Sequence, residues 1–554
     1  MQNVKHKTKH LLLILLMVGM ALTLMPMMAL AAPGDYNTDD VAVINNIIAN
    51  NNLSWTPAPI DGSTIPADWD GVIWSSAATN KRIVQLIVHN TGLNGALDVT
   101  GLAELEQLFC SQNNLTSLNA SGLTALYYLF CNNNTLTSLD ISNLNALEQL
   151  SCDNNNLTTV NVSGSNALKY LRCSNNNLTT LNVSDLNALI NLYCDDNNIT
   201  SSNVSGLNAL EYLHCANNNM TSLNVSGCIA LEYLNVSGGH YFGAVHGNNL
   251  ASLDVSGLTA LKYLNFNSNN LTSLDVSGLN ALETILCFDN NLISLNVLGL
   301  NALESLECDN NNLTSLNVSG LNTLVKLNCT SNNLTSLDVS GCTVLRVLNC
   351  SSNNLTSINI SGCTALESLH CSNNTLTSLD ISNSIELQEL SCSRNNLTSL
   401  NVSGLNALES ISCSNNNLIS LNVSGLNALE SISCSNNNLT SLNVSGCTAL
   451  RNLNCSSNNL TSIDVSGCTA LRNLDVRGNF MENEYAVIGV TDVTAFVAWK
   501  TGDFYFSPQK NNSGGGISSI RNKNSIPDFM ILTTMIGLLC ALVLFKWQKN
   551  RRNK

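Results

Sequence analysis

The sequence has little positive charge and few aromatic residues. It contains 23 lysine and arginine residues against 38 aspartate and glutamate residues, and aromatic residues make up 5% of the chain. Residues 1–31 contribute +3 and residues 509–554 contribute +7 to the net charge of −15, so residues 32–508 carry −25. A surface this acidic disfavours DNA or RNA as a ligand.

The sequence also lacks the residue patterns of an enzyme. It shows no phosphate-binding loop, no Ser/His/Asp set and no pair of carboxylates outside the repeating part of the chain. His240 and His246 could suggest a metal, but two histidines without acidic residues or cysteines nearby are a weak signal. We therefore predict that the protein is not an enzyme and binds no cofactor or metal.

A 21-residue unit dominates the chain from Leu105 to about Asn479. It reads A-L-E-x-L-x-C-S-x-N-N-L-T-S-L-N-V-S-G-L/C-x, and its cysteine recurs at this period from Cys110 to Cys215 and again from Cys287 to Cys455. A fixed period of this length indicates a solenoid, in which short units stack on copies of themselves. Solenoids present long surfaces that usually bind other molecules.

Each unit matches the leucine-rich repeat L-x-x-L-x-L-x-x-N-x-L, with cysteine in place of the third leucine. Leu150 and Cys152 alternate with Ser151, which predicts a strand with Ser151 facing outward. Identical units place such strands side by side in one parallel sheet. We predict a leucine-rich-repeat solenoid with a parallel β-sheet on the concave face. Extended chain and short turns form its convex side, with no full helix in the repeats.

Asparagines follow the strands where the chain turns. Their side-chain amides are expected to bond backbone groups that would otherwise be buried and unpaired. These residues are Asn155, Asn176, Asn218, Asn311, Asn332 and Asn353. Strand positions from Val88 to Val476 predict roughly 19 turns, with one insertion of nine residues near 237–247. Inserted loops of solenoids often lie on the binding face.

The cysteine at the strand's second inward position resembles the internalin family of bacterial surface proteins, and most of all its J type. The resemblance covers about residues 85–480. It implies a surface adhesin, and the J type is associated with attachment to host mucus glycoprotein. The chain departs from the family in two ways. No L-P-x-T-G sorting motif precedes the C-terminal apolar segment, and no clear immunoglobulin-like or mucin-binding array follows the repeats.

Residues outside the repeats are expected to close the ends of the solenoid. A helix is predicted over 38–50, capped by Thr38, with Val41, Ile44 and Ile48 on one face. It should join Trp69 and Trp74 in an N-terminal cap. The packing residues of the C-terminal cap should be Phe496, Trp499, Phe504 and Phe506.

The remaining segments predict export and anchoring. Lysines, an apolar run and Ala29-Leu30-Ala31 indicate a cleaved signal peptide, with an uncleaved anchor as the alternative. An apolar segment followed by basic residues predicts a single-pass membrane anchor and an extracellular ectodomain. A sorting tail around Ile526-Pro527-Asp528-Phe529, later removed, is the alternative. The predicted order is 1–31 signal peptide, 32–84 cap, 85–479 solenoid, 480–508 cap, 509–525 linker, 526–547 transmembrane segment and 548–554 cytoplasmic tail.

The 21 cysteines are interpreted mainly as packing residues. Fifteen belong to the repeat ladder, where Val236, Phe266 and Val476 take the same position in other turns. Such exchange is typical of a small buried apolar site. The alternatives to packing are the disulfides Cys342–Cys363 and Cys447–Cys468 and, as a weaker alternative, metal binding by the cysteines.

Outward strand positions differ between the two ends of the repeats. Toward the C-terminus they hold Ser391, Ser410, Ser412, Ser431, Ser433, Asn452 and Asn454, which we call the serine end. Toward the N-terminus they hold ten larger side chains that we call the aromatic surface: Phe109, Tyr128, Phe130, Tyr170, Arg172, Tyr193, Tyr212, His214, Tyr233 and Tyr263. Tyrosine provides apolar area and a hydroxyl group at low entropic cost, which suits binding. Shielding of the sheet near the cap, or recent duplication of the C-terminal repeats, would also explain the contrast.

Two functions remain open. The first is a cell-surface binding protein, an adhesin that recognises an extracellular protein or glycan, such as mucin or another cell surface, through the concave sheet. The second is a structural surface or spacer protein without a specific ligand, which the uniformity of residues 390–475 favours.

Overall fold

The structure, a computed structural model, describes residues 35–239, 247–489 and 504–510. One sheet of 21 strands extends through these residues, and it confirms the predicted leucine-rich-repeat solenoid. Without its two end strands the sheet has 19 strands, one for each predicted turn. Its strands are β1 Val72–Trp74, β2 Ile83–Ile87, β4 Gln107–Phe109, β6 Tyr128–Phe130, β8 Gln149–Ser151, β10 Tyr170–Arg172, β11 Asn191–Tyr193, β13 Tyr212–His214, β15 Tyr233–Asn235, β16 Tyr263–Asn265, β17 Thr284–Leu286, β18 Ser305–Glu307, β19 Lys326–Asn328, β21 Val347–Asn349, β23 Ser368–His370, β24 Glu389–Ser391, β25 Ser410–Ser412, β27 Ser431–Ser433, β29 Asn452–Asn454, β31 Asn473–Asp475 and β33 Phe504–Tyr505.

The convex side of each turn is extended chain and tight turns, as predicted. Short strands pair there two by two: β3 Asn94–Asp98 with β5 Asn114–Asn119, β7 Ser138–Asp140 with β9 Thr159–Asn161, β12 Ser201–Asn203 with β14 Ser222–Asn224, β20 Ser336–Asp338 with β22 Ser357–Asn359, β26 Ser420–Asn422 with β28 Ser441–Asn443, and β30 Ile463–Asp464 with β32 Val487–Ile488. The described residues of the repeats contain no helix.

Strand register fixes which side chains share a face. Apart from the antiparallel pair β1 and β2, neighbouring strands of the long sheet are parallel and in register, as in Tyr212↔Tyr233 and Tyr233↔Tyr263. In the parallel three-residue strands of the long sheet the middle residue is buried, as Leu108 is, and its two neighbours face outward. The outward residues form the concave face, so one repeat position becomes a column of side chains across the sheet.

The repeat asparagines join each turn to the one before it. Asn155 Nδ2 donates to the carbonyl oxygens of Cys131 and Cys152, both at 3.1 Å. Its Oδ1 accepts the backbone N–H of Leu136 at 3.0 Å. The amide therefore pairs buried backbone groups of two turns, and the predicted role of these asparagines is confirmed. The same bonds recur as far as Asn479.

The ladder cysteines lie inside the solenoid, as predicted for packing residues. All described cysteines are buried free thiols, including Cys342, Cys363, Cys447 and Cys468. These four lie on the convex side, and each donates its thiol hydrogen to a carbonyl of the preceding turn, as in Cys363 Sγ to Val339 O at 3.2 Å. Burial raises the pKa of the ladder thiols, to about 12 at Cys110.

The N-terminal helix α1, Thr38–Asn51, covers the first turns. Val41 and Ile44 are fully buried and Ile48 is half-buried, which agrees with the predicted face. The prediction of Thr38 as the N-cap of this helix was wrong. Asn37, not Thr38, has the extended backbone of an N-cap, and its side chain accepts the Asp40 N–H. Trp69, which was predicted to belong to the N-terminal cap of the solenoid, is buried and donates its indole N–H to Thr56 O at 2.8 Å.

The C-terminal end adds one more strand to the sheet. β33 pairs with β31, and Phe504 and Phe506 pack against the core. Gln509 Oε1 accepts the Asn479 N–H at 3.0 Å and its Nε2 donates to Val476 O at 3.1 Å. It thus takes the place of the next repeat asparagine, although the sequence assigned it to the linker. Phe496 and Trp499 lie outside the described residues.

The prediction of a single-pass membrane anchor was wrong, and so was the localisation that was inferred from it. Across residues 35–239, 247–489 and 504–510, no helix is both long enough and apolar enough to cross a membrane. The segment 526–547 itself lies outside the described residues, as do the signal peptide 1–31 and the tail 548–554.

Candidate functional site

The ten residues of the aromatic surface all lie at outward strand positions. Tyr128, Tyr170, Tyr212, Tyr233 and Tyr263 occupy the first position of their strands, and Phe109, Phe130, Arg172, Tyr193 and His214 occupy the third. Two adjacent columns of side chains therefore cross the sheet. Except for the more exposed Arg172, these residues are half-buried, because neighbouring side chains of each column cover one another.

Three tyrosines form a continuous stack, which we call the tyrosine row. The rings of Tyr212 and Tyr233 lie 4.0 Å apart at an angle of 6°, and those of Tyr233 and Tyr263 lie 4.4 Å apart at 2°. Tyr193 of the other column extends the row, with its ring centroid 4.8 Å from that of Tyr212. Both faces of Tyr233 are covered, so the row exposes ring edges and hydroxyl groups.

Burial raises the pKa of Tyr212, Tyr233 and Tyr263, and the charge of the neighbouring tyrosines raises it further. A phenol normally loses its proton near pH 10. The hydroxyl groups of the row therefore remain neutral at physiological pH and can both donate and accept hydrogen bonds.

A second aromatic group lies nearer the N-terminus. Phe109 packs against Phe130 edge to face at 5.2 Å, and Tyr128 lies 6.3 Å from Phe130. Tyr127, which the sequence analysis missed, contacts Tyr128 at 4.5 Å. In many other turns the position directly before the strand is glutamate or lysine. The replacement of a charged residue by tyrosine at this position is the signal that could have identified Tyr127.

The two aromatic groups are separated by strand β8. Its outward residues are Gln149 and Ser151, which lie beside Tyr128 and Phe130 in register. Tyr170 follows next to Gln149, and within the described residues it makes no ring–ring contact. The sequence therefore placed the ten residues on one face but did not show that the rings form two separate groups, with Tyr170 in neither.

Charged partners surround the tyrosine row. Arg172 lies with its guanidinium carbon 4.7 Å from the ring centroid of Tyr193, and its Nε is 3.4 Å from Asp153 Oδ2. His214 Nδ1 is 3.5 Å from Asp195 Oδ1. Sequence reasoning did not identify these two aspartates. They follow ladder cysteines, at a position that is serine in most of the other turns.

The serine end has a different surface. Ser391 and Ser433 bond the hydroxyls of Ser372 and Ser414 at 2.8 and 2.9 Å, so part of their hydrogen-bonding capacity is used within the protein. These side chains are small and bury little apolar area. The aromatic surface and the serine end thus share one backbone geometry but offer different contacts to a ligand.

A metal site finds no support among the described residues, which contain no group of three histidine, cysteine or acidic side chains arranged to hold an ion. His240 and His246 lie outside the described residues.

A family model described as Leucine Rich repeats (2 copies) matches residues 343–384. That match falls within the turns whose strands and asparagine bonds are described above. The chain is a leucine-rich-repeat protein. A comparison with curated protein sequences found no match.

Solved structures of other leucine-rich-repeat proteins are similar to this one. The functional domain of InlJ from Listeria monocytogenes, which includes a cysteine ladder, is 27% identical, with 73% of this chain and 76% of that chain covered and a TM-score of 0.47. YopM from Yersinia enterocolitica is 23% identical, covering 72% and 83%, with a TM-score of 0.52. A TDR receptor is 22% identical, covering 74% and 76%, with a TM-score of 0.57. Many leucine-rich-repeat proteins match similarly, so the resemblance to internalins stays a prediction.

Proposed function

We propose that this leucine-rich-repeat protein is an adhesin that attaches to a protein or glycan through its aromatic surface. The observation that carries the proposal is the tyrosine row, a stack of rings on the outward side of a sheet that presents mainly serine and asparagine in its C-terminal turns. Such stacks bury apolar area without contributing to the solenoid core. Leucine-rich-repeat solenoids typically serve protein interaction, and their sheets supply extended binding surfaces.

The arrangement suits binding for a second reason. The rings are fixed by their neighbours before a ligand arrives, so little side-chain entropy is lost when it binds. Tyrosine is enriched among residues that dominate binding energy.

The proposal is tested with the full chain on an array of glycans, mucins and proteins. A variant with Tyr128, Tyr170, Tyr212 and Tyr233 changed to Ser is compared with one in which Ser410, Ser431, Asn452 and Asn473, the same column in the C-terminal turns, become Ala. A signal lost only in the tyrosine variant supports the proposal. Equal binding by all three proteins would contradict it.

A spacer function without a specific ligand is the second candidate. The internal hydrogen bonds of the serine end favour it, because they satisfy surface groups without a partner. It predicts that no array component binds and that the tyrosine variant behaves like the unchanged protein.

A further inference from the structure

The tyrosine row ends abruptly at Tyr263. One face of this ring lies against Tyr233, and its other side faces β17, where the register places Thr284 and then Ser305. Lys326 follows in the same column. Three strand spacings, about 14 Å, separate the strands of Tyr263 and Lys326. Along this column the large ring of Tyr263 is therefore followed by two small side chains, Thr284 and Ser305. We call this place the tyrosine step.

Carboxylates border the tyrosine step on both sides. Glu283 and Glu304 directly precede Thr284 and Ser305 in their turns, and Glu307 lies across the sheet. Glu307 pairs with Lys326, whereas Glu283 and Glu304 form no ion pair within the described part of the chain. Leu286 is half-buried beside Glu307 on the next strand and adds apolar surface to the floor. The step thus has an aromatic wall, a partly apolar floor and excess negative charge.

Another place on this face shows which side chain binds between an aromatic ring and a carboxylate. On the same face Arg172 stacks on Tyr193 and reaches the carboxylate of Asp153. A guanidinium group is suited to this arrangement because it is planar, always charged and weakly hydrated, and it stacks on rings while it bonds carboxylates. The tyrosine step offers the same two elements, but no arginine of the described residues fills it.

We propose that the tyrosine step binds an arginine side chain of a protein partner. The proposal rests on the proposed function and specifies it, because it selects a protein over a glycan. The guanidinium stacks on the open face of Tyr263, the carboxylates of Glu283 and Glu304 pair with it, and the methylene groups of the arginine contact Leu286. The charge of −25 on residues 32–508 attracts basic segments in general, and the step gives one of them a specific position.

The experiment measures binding of a fluorescent hexa-arginine peptide to the full chain by fluorescence anisotropy at 150 mM salt. Hexalysine and hexaglutamate serve as comparison probes. We expect hexa-arginine to bind more tightly than hexalysine. The double variant Glu283→Gln and Glu304→Gln should weaken hexa-arginine binding about tenfold. Tyr263→Ser should weaken it about threefold, and Tyr263→Phe should leave it unchanged because the ring remains.

The control is Glu409→Gln with Glu430→Gln, which removes two carboxylates at the same repeat positions in the serine end, where Glu430 lies 3.6 Å from Arg451. A smaller loss in this control than in the double variant at the step supports the proposal. An equal loss in both overturns it, because the peptide is then attracted only by the general charge. Tyr263→Ser without effect also overturns it.

Two further outcomes separate this inference from the proposed function. If array ligands are lost in the tyrosine variant while hexa-arginine does not bind, the protein is an adhesin but the arginine site is wrong. If sedimentation shows a dimer that Tyr263→Ser dissociates and hexa-arginine does not compete with, the step holds a second copy of the chain and the inference is overturned.

Discussion

At the residue scale, asparagine and cysteine contribute to the repeat in different ways. The side chain of Asn155 satisfies backbone groups of two turns, so a shorter or apolar residue would leave buried polar groups unpaired. The ladder cysteines fill apolar space instead. Val236 and Val476 take the same position and are equally buried. The asparagine is therefore required for its hydrogen bonds and the cysteine mainly for its size.

The buried thiols make stability depend on alkaline pH. The pKa of Cys371 is raised from 9.0 to about 12 by burial, so the unfolded chain loses this proton at lower pH than the folded chain. The resulting stabilisation is fully present below pH 9 and is lost as the pH rises from about 9 to 12. At pH 10 the loss from one such thiol is about 1.4 kcal/mol relative to neutral pH.

Comparing Cys371→Val with the unchanged chain isolates this effect, because all other groups titrate in both proteins. Urea unfolding gives the free energy of unfolding of both proteins at pH 7 and pH 10. Relative to the parent, the free energy of unfolding of the variant should be about 1.4 kcal/mol higher at pH 10 than at pH 7. A difference between the two proteins that is the same at both pH values would contradict the prediction.

At the scale of the element, α1 is attached to the solenoid by its apolar face, by Asn51 and by one buried carboxylate. Asp40 is fully buried and accepts hydrogen bonds from Arg82 Nε at 3.0 Å, from Arg82 Nη2 at 2.7 Å and from Ile83 N at 2.7 Å. Its removal would leave Arg82 and the backbone N–H of β2 without their acceptor. We expect Asp40→Ala to destabilise the N-terminal cap by about 3–5 kcal/mol.

Asp39 provides the matched control, because it lies in the same helical turn but is exposed. Asp39→Ala should change stability by less than about 1 kcal/mol. Hydrogen exchange of the α1 amides is the appropriate measurement, since the cap can open while the repeats stay folded. Similar exchange in both variants would show that the Asp40–Arg82 pair does not hold the cap.

The sequence predicted this helix but not its attachment. Periodicity identified the face of Val41 and Ile44, whereas Asp39 and Asp40 look alike in sequence as acidic residues of a first turn. Their roles differ because Arg82, 42 residues away from Asp40, reaches only one of them. The aromatic surface shows the same limit. Alternation placed the tyrosines outward, but the stacking of Tyr212, Tyr233 and Tyr263 depends on the register between turns and on side-chain rotation.

At the scale of the whole molecule, a repeat this regular tolerates change wherever the contacts between turns are kept. Each turn contacts mainly its neighbours, so stability is close to a sum over turns and their interfaces. The insertion after Ser237 tests this principle. On either side of it, β15 and β16 pair in register, and Asn248 still donates to Cys215 O and Val236 O, both at 3.0 Å.

Deletion of residues 238–246 should therefore give a folded protein. Twelve positions separate Val236 from Asn248, where three separate Val476 from Asn479, so the deletion restores the repeat spacing. It leaves Val236-Ser237-Gly247-Asn248, the pattern of Val476-Arg477-Gly478-Asn479. Gly478 has a φ of +66°, and Gly247 can adopt the same left-handed conformation without strain.

We expect this deletion to stabilise the solenoid slightly. A polar cleft of about 300 Å³ lies beside Gly239 and Gly247. Near it, Asn267 Oδ1 and Ser268 Oγ are buried and have no hydrogen-bond partner among the residues that the structure describes. A regular turn would close that space and shorten the loop, whose closure costs entropy. Thermal unfolding followed by circular dichroism should give a melting temperature at or above that of the full chain. Hexa-arginine binding should also persist, because Tyr233 and Tyr263 keep their register. A deletion variant that fails to fold would show that the inserted residues, and not the repeat contacts alone, hold the two parts of the solenoid together.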